Sequence, residues 1–168
     1  MPVLPGLTLW QTGAPEGEGW MAEGDKEFMS ADEYGRGLKG IGINLLVKDV
    51  LRSVAFAKDV LGAVAVTADK DFAVLHYRHG RSAAEWMLHS DGAYHSNPML
   101  GLLSDVSIRG AGAEIRLYDC DPDGAAARAK AGGYHVLAEP ADKPHGLREA
   151  YILDPDGYCW VPGVPKRG

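Results

Sequence analysis

Apolar and polar positions recur with two different periods along this chain, and the changes of period mark out its elements. From Gly40 onward the pattern is clear: residues 41–47 read as a strand. Asp49 then opens a helix. Val50, Val54, Ala57 and Leu61 fall at i, i+4, i+7 and i+11, and a short acidic side chain stands where the first helical N–H groups need an acceptor. Gly62 ends that helix. Strands are predicted over residues 63–68, 72–77 and 84–89, with a turn at 78–82. Residues 90–111 are too many for a tight turn, and the apolar tract within them, 99–103, is expected to be a buried crossover.

The pattern then repeats. Residues 113–118 read as a strand, Asp121 caps a second helix with Pro122 at its first position, and Gly132-Gly133 stops it. Residues 134–138 and 148–153 read as strands, and Asp154-Pro155-Asp156-Gly157 turns the chain into a last strand at 158–161. Laying Asp49 on Asp121 sets an offset of 72 residues, so the chain is an internal duplication of a β-α-β-β-β unit. The predicted class is α+β: two βαβββ modules, residues 40–90 and 112–163, forming a cupped mixed sheet with the helices outside. Residues 91–111 link them and 164–168 form a tail. Side-chain parity sorts the faces. Ile43, Leu45 and Val47 share one side of the first strand, as Ile115 and Leu117 do in its repeat, and these must lie under the helices. Asn44, Glu114, Arg116 and Tyr118 then face the cup.

Residues 1–39 differ from the rest, being rich in Gly, Pro and Glu without apolar periodicity. Trp10, Trp20, Phe28 and Met29 are too sparse to build a core and are expected to anchor an ordered arm on this or a neighbouring chain. Ser30 and Glu33 have capping-box spacing, which predicts a short helix through Tyr34.

Composition narrows the partners. The net charge is −6 with no basic tract, which argues against a nucleic-acid partner. The absence of an apolar run of membrane length and of a secretory signal points to a cytoplasmic protein with no membrane partner. Cys120 and Cys159 lack CxxC spacing and read as buried reduced thiols.

The segment from Val47 to Phe56, followed by Val60-Leu61-Gly62, resembles the first strand and helix of the glyoxalase/bleomycin resistance protein/dioxygenase (vicinal oxygen chelate) superfamily. Asp154-Pro155-Asp156-Gly157-Tyr158-Cys159-Trp160 resembles its terminal hairpin. The resemblance implies, for the superfamily's metal enzymes, four His or Glu ligands at equivalent points of the first and last strands of each module. Carried over, those points are Gly42, Glu114, Val161 and either Met87 or, in a register slipped by two, Glu85. At best two of them can bind a cation, so no metal cofactor is expected, and the chain is more similar to the metal-free, bleomycin-resistance-like branch.

The expected ligand contacts are therefore Asn44, Glu85, Met87, His89, Glu114, Arg116 and Tyr118 in the cup, with His145 and Arg148 brought over it by the polar stretch 143–149. Glu114 is the candidate catalytic base. Trp86 and Trp160 fall on the helix side and read as core, and His95 lies in a loop beside Tyr94 and Asn97. The leading expectation is a homodimeric, metal-free protein binding a small molecule between the modules. The alternatives are a metal-dependent lyase, isomerase or dioxygenase using His76, His89 and Glu114, and a regulatory interaction module docking through the N-terminal arm.

Overall fold

The computed structural model describes residues 30–93, 97–103 and 105–166, and these fall into two units divided after Gly42. In the first unit, helix α1 spans Ala31–Gly37. The Ser30 hydroxyl accepts from the Glu33 N–H at 3.3 Å and the Glu33 carboxylate accepts from the Ser30 N–H at 3.1 Å, the reciprocal cap that the spacing predicts. Trp10, Trp20, Phe28 and Met29 lie outside the described residues, as do Tyr94 and His95.

The second unit carries the duplication. Its first module runs β1 (Asn44–Val47), α2 (Val50–Asp59), β2 (Val64–Ala68), β3 (Phe72–His79) and β4 (Ser82–Ser90). After a one-turn helix, α3 (Leu100–Leu103), the second runs β5 (Glu114–Tyr118), α4 (Pro122–Ala131), β6 (His135–Asp142), β7 (Leu147–Leu153) and β8 (Cys159–Pro165). Each module forms a four-stranded sheet, in the orders β1-β4-β3-β2 and β5-β8-β7-β6. The first and last strands of each module pair in parallel and the rest antiparallel, as a crossover helix followed by two hairpins requires. The fold is thus α+β, two βαβββ modules.

The predicted punctuation holds. Asp49 accepts from the Arg52 N–H at 3.0 Å and Asp121 from the Asp123 N–H at 3.1 Å. Gly62 and Gly133, past the two helix ends, have φ of 76° and 74°, the left-handed region that a side chain resists. Leu45, Val47 and the buried face of α2 join Leu117 and Ala125, Ala126 and Ala129 of α4 in one core spanning both modules. At its centre the rings of Trp86 and Trp160 lie 4.9 Å apart.

The modules interlock through reciprocal hairpins. In the second hairpin, the Asp156 carboxylate accepts from the Lys48 N–H at 3.2 Å, and the Tyr158 hydroxyl donates to the Leu46 carbonyl at 3.0 Å. In the first hairpin, Tyr77 donates to the Asp119 carbonyl at 2.8 Å and Ser82 to the Asp119 carboxylate. Each hairpin therefore grips the end of the other module's first strand.

Some boundaries and one burial differ from expectation. β6 extends to Asp142, past the end expected at 138, and β8 runs to Pro165, past the end expected at 161. β1 is short, beginning only at Asn44. The 99–103 tract is not a buried crossover: Met99 and Leu102 are exposed, Leu102 to 76%. A single helical turn can turn only one side inward, and here Leu100 and Leu103, three apart, take it.

Candidate functional site

The face of each sheet turned away from its helix carries the polar residues, and strand register fixes which of them are neighbours. On the first sheet Asn44 lies beside Met87 and Leu46 beside His89, while His89, Met87 and Glu85 of β4 oppose Phe72, Val74 and His76 of β3. An apolar strip of Phe72, Val74 and Met87 thus separates two polar pairs. His76 Nε2 and Glu85 Oε2 lie 2.5 Å apart, and His89 Nδ1 lies 2.7 Å from Asn44 Oδ1. Burial pushes the His89 pKa down, so its imidazole is neutral at neutral pH. Because the amide oxygen can only accept, Nδ1 carries the proton.

The second sheet holds a denser cluster. Glu114 lies beside Cys159, Arg116 beside Val161, and Tyr118 beside Gly163. Gly163 also opposes Glu149 on β7. Arg116 donates from Nη1 to Glu114 at 2.7 Å and from Nη2 to Oε1 of Glu149, reaching across β8 to do so. His145 Nε2 meets the same Oε1 at 3.1 Å. A Cβ at position 163 would come within 3.3 Å of the Glu149 Cγ, so the glycine leaves the carboxylate its room. Glu149 is fully buried, and among the described residues its Oε2 has no hydrogen-bond partner. Burial opposes its charge, but hydrogen bonds from His145 and Arg116 outweigh that and hold its pKa below the ordinary value. Burial likewise opposes the Arg116 charge, and hydrogen bonds with Tyr118, Glu114 and Glu149 raise its pKa regardless. Burial pushes the Cys159 thiol up, with Glu114 adding to the effect.

The expected site residues therefore gather into three hydrogen-bonded groups: His76 with Glu85, His89 with Asn44, and Glu114, Arg116 and His145 around Glu149, a residue not among those expected. Met87 stands in the apolar strip, and Tyr118 is half exposed beside the third group. Arg148 is the exception. Instead of covering the cup it points to the helix side, where it pairs with Asp123 of α4 at 2.7 Å and Asp142 at 3.0 Å. Parity explains this, because Arg148 shares a face with Ala150 and Ile152, which are core. The same parity puts Glu149 in the cup, and that signal was present once Ala150 and Ile152 were taken as the buried side.

The residues present do not fit a chelated metal. The parallel pairs Asn44–Met87 and Arg116–Val161 make Met87 the counterpart of Val161, settling the register against Glu85. Of the four carried-over points only Glu114 then has a carboxylate or imidazole, and it is engaged by Arg116. His76, His89 and Glu114 do not converge: each sits in a different group. Among the described residues no three His, Cys, Asp or Glu side chains gather closely enough to hold a metal ion. Among them, too, no helix is long and apolar enough to cross a membrane. An open cavity of about 470 Å³ lies beyond the end of β1, between Lys48, Asp91, Arg109 and the linker. Its guanidinium is already held by Asp91 in two hydrogen bonds of 2.7 and 2.6 Å.

Known proteins place this architecture. A glyoxalase/bleomycin resistance protein/dioxygenase from Nocardioides is 20% identical with a TM-score of 0.55, over 82% of this chain and 93% of its own. A family enzyme of that description from Burkholderia phytofirmans PsJN is 20% identical with a TM-score of 0.56, over 74% and 96%. A glyoxalase-related enzyme from Fulvimarina pelagi is 19% identical with a TM-score of 0.54, over 76% and 88%. At these identities the likeness speaks for the fold alone. No curated protein sequence matches the chain. The model of the Glyoxalase/Bleomycin resistance protein/Dioxygenase superfamily matches residues 41–161, from before β1 into β8, and the chain belongs to that superfamily.

Proposed function

We propose that this protein binds a small organic molecule on the cup faces of its sheets through its own side chains, without a chelated metal. One observation carries the reading: the side chains able to ligate a cation are committed to one another, as His76 to Glu85, His89 to Asn44 and Glu114 to Arg116. A Lewis-acid centre needs at least three donors converging around an open position. An apolar strip flanked by a few oriented polar groups is instead the usual make-up of a small-molecule site. Phe72 and Met87, half-buried over the fully buried Val74, form the strip, and the His and Glu pairs at its ends supply direction.

Metal analysis of protein equilibrated with iron, manganese, nickel and zinc salts tests the reading, together with a fragment screen read by NMR. The metal content is expected to be far below one ion per chain and indifferent to Glu114→Ala, with fragments shifting signals of Val74, Met87 and Tyr118. A ligand at a hundred times its Kd then stabilises the fold by about 2.7 kcal/mol. Stoichiometric metal that disappears on Glu114→Ala would overturn the proposal.

A further inference from the structure

Resting on that reading, the structure assigns a ligand class: we infer that the Glu149 carboxylate anchors a cationic hydrogen-bond donor, an amine or amidine, on the second cup face. Glu149 is fully buried and kept ionised, yet its two oxygens are treated unequally. Oε1 takes both Arg116 and His145, while Oε2 is buried with no donor among the described residues. An ionised oxygen withdrawn from water costs free energy until a donor meets it, so the cluster is complete only when one is supplied. The local charge selects which donor. Within the hydrogen-bonded cluster two carboxylates, Glu114 and Glu149, face the single guanidinium of Arg116, while the Lys143 ammonium stands over the Tyr151 ring instead of in the cluster, so the excess negative charge is local to the cluster and favours a cation there.

Access lies on the His145 side. Its imidazole is 55% exposed, whereas the carboxylate beneath it is 1% exposed, and it stands in the turn between β6 and β7 beside Gly146, whose φ is 90°. That side chain is the exposed partner of the carboxylate, and because it stands in a turn it can move without disturbing a strand. The same face already accommodates a positive charge, for the Lys143 ammonium sits 5.1 Å from the centroid of the Tyr151 ring. Tyr151 is two residues from Glu149 on β7 and so shares its face. A ligand with a cationic head and a flat body would find the carboxylate for the first and tyrosine surface for the second.

The test uses the full chain and three probes of one shape: benzamidine (cationic), benzamide (neutral) and benzoate (anionic), followed by amide NMR shifts. Benzamidine is expected to move Tyr118, Tyr151 and Gly163 and to bind more tightly than benzamide, with benzoate not binding. Glu149→Gln should weaken benzamidine by about tenfold, a charged hydrogen bond's worth, and leave benzamide unchanged. His145→Ala removes one competing donor from the carboxylate, so benzamidine should bind more tightly while benzamide is unchanged, and unchanged or weakened benzamidine binding counts against the proposal. This second variant decides the matter if Glu149→Gln fails to fold. Equal binding of benzamidine and benzamide, indifferent to both variants, overturns the cationic class while leaving binding on this face intact. No shift on either cup face with any probe overturns the binding reading as well.

Discussion

Asp154 opens the turn between β7 and β8 with its side chain directed inward. Oδ1 accepts from the backbone N–H groups of Asp156 and Tyr158, each at 3.0 Å, and Oδ2 from the Trp160 indole at 3.2 Å. Burial nonetheless pushes its pKa up to about 6, against an ordinary value of 3.8. The folded state therefore holds this proton more tightly than the unfolded chain does. The contribution of Asp154 to stability is greatest below the unfolded value, falls as pH rises from about 4 to about 6, and is level above that. Asp154→Asn abolishes the titration. Urea unfolding at a series of pH values should then show the wild type losing ground to the variant across that window, by on the order of a few kcal/mol. A difference that does not change with pH would refute it. From sequence this residue was legible only as the first position of a turn, since its burial depends on the indole that closes over it.

At the scale of the element, alternation along β1 and β5 divides one strand between two environments. Leu45 packs under α2, while Glu114 stands on the cup face with its side chain 45% exposed. Leu45→Asp places an unpaired charge in the core and is expected to cost several kcal/mol or to prevent folding. Glu114→Gln keeps the shape and loses part of an exposed ion pair, a cost of about 1 kcal/mol or less. Thermal melts of the two variants give the comparison, and equal losses would mean the faces are wrongly assigned. This division was readable in the sequence because a period of two needs no tertiary information. Strand ends were not. β1 stops short at Asn44 and β8 runs on to Pro165 because pairing partners, not local propensity, decide where a ladder ends.

For the whole molecule, the shared core and the reciprocal hairpins make the two modules one cooperative unit. Trp86 belongs to the first module and Trp160 to the second, and each is almost fully buried against the other. Trp160→Ala is therefore expected to cost about 3–5 kcal/mol and to weaken both modules together. Amide exchange should lose protection in β3 and β7 alike, and denaturant unfolding followed by circular dichroism should remain a single transition. Two separated transitions, with β3 unaffected, would show that the modules fold independently.

What the sequence by itself determined is everything that acts within a few residues. Asp49 and Asp121 cap their helices, Gly62 and Gly133 end them, the 154–157 turn reverses the chain, and parity chooses the buried side of each strand. The duplication and the family follow from those signals at their spacing. What only the tertiary structure decided is which side chains meet. Arg116 and Glu149 lie 33 residues apart, on strands that are not neighbours. They join because the order β5-β8-β7 sets one strand between them and because Gly163 on that strand carries no side chain to block the path. His145 reaches the same carboxylate only because the turn before β7 folds back over its own strand, whereas Arg148, one residue from Glu149, is turned to the opposite face. Charge in a sequence is visible residue by residue, but whether it is paired, buried or left one donor short depends on strand order and register.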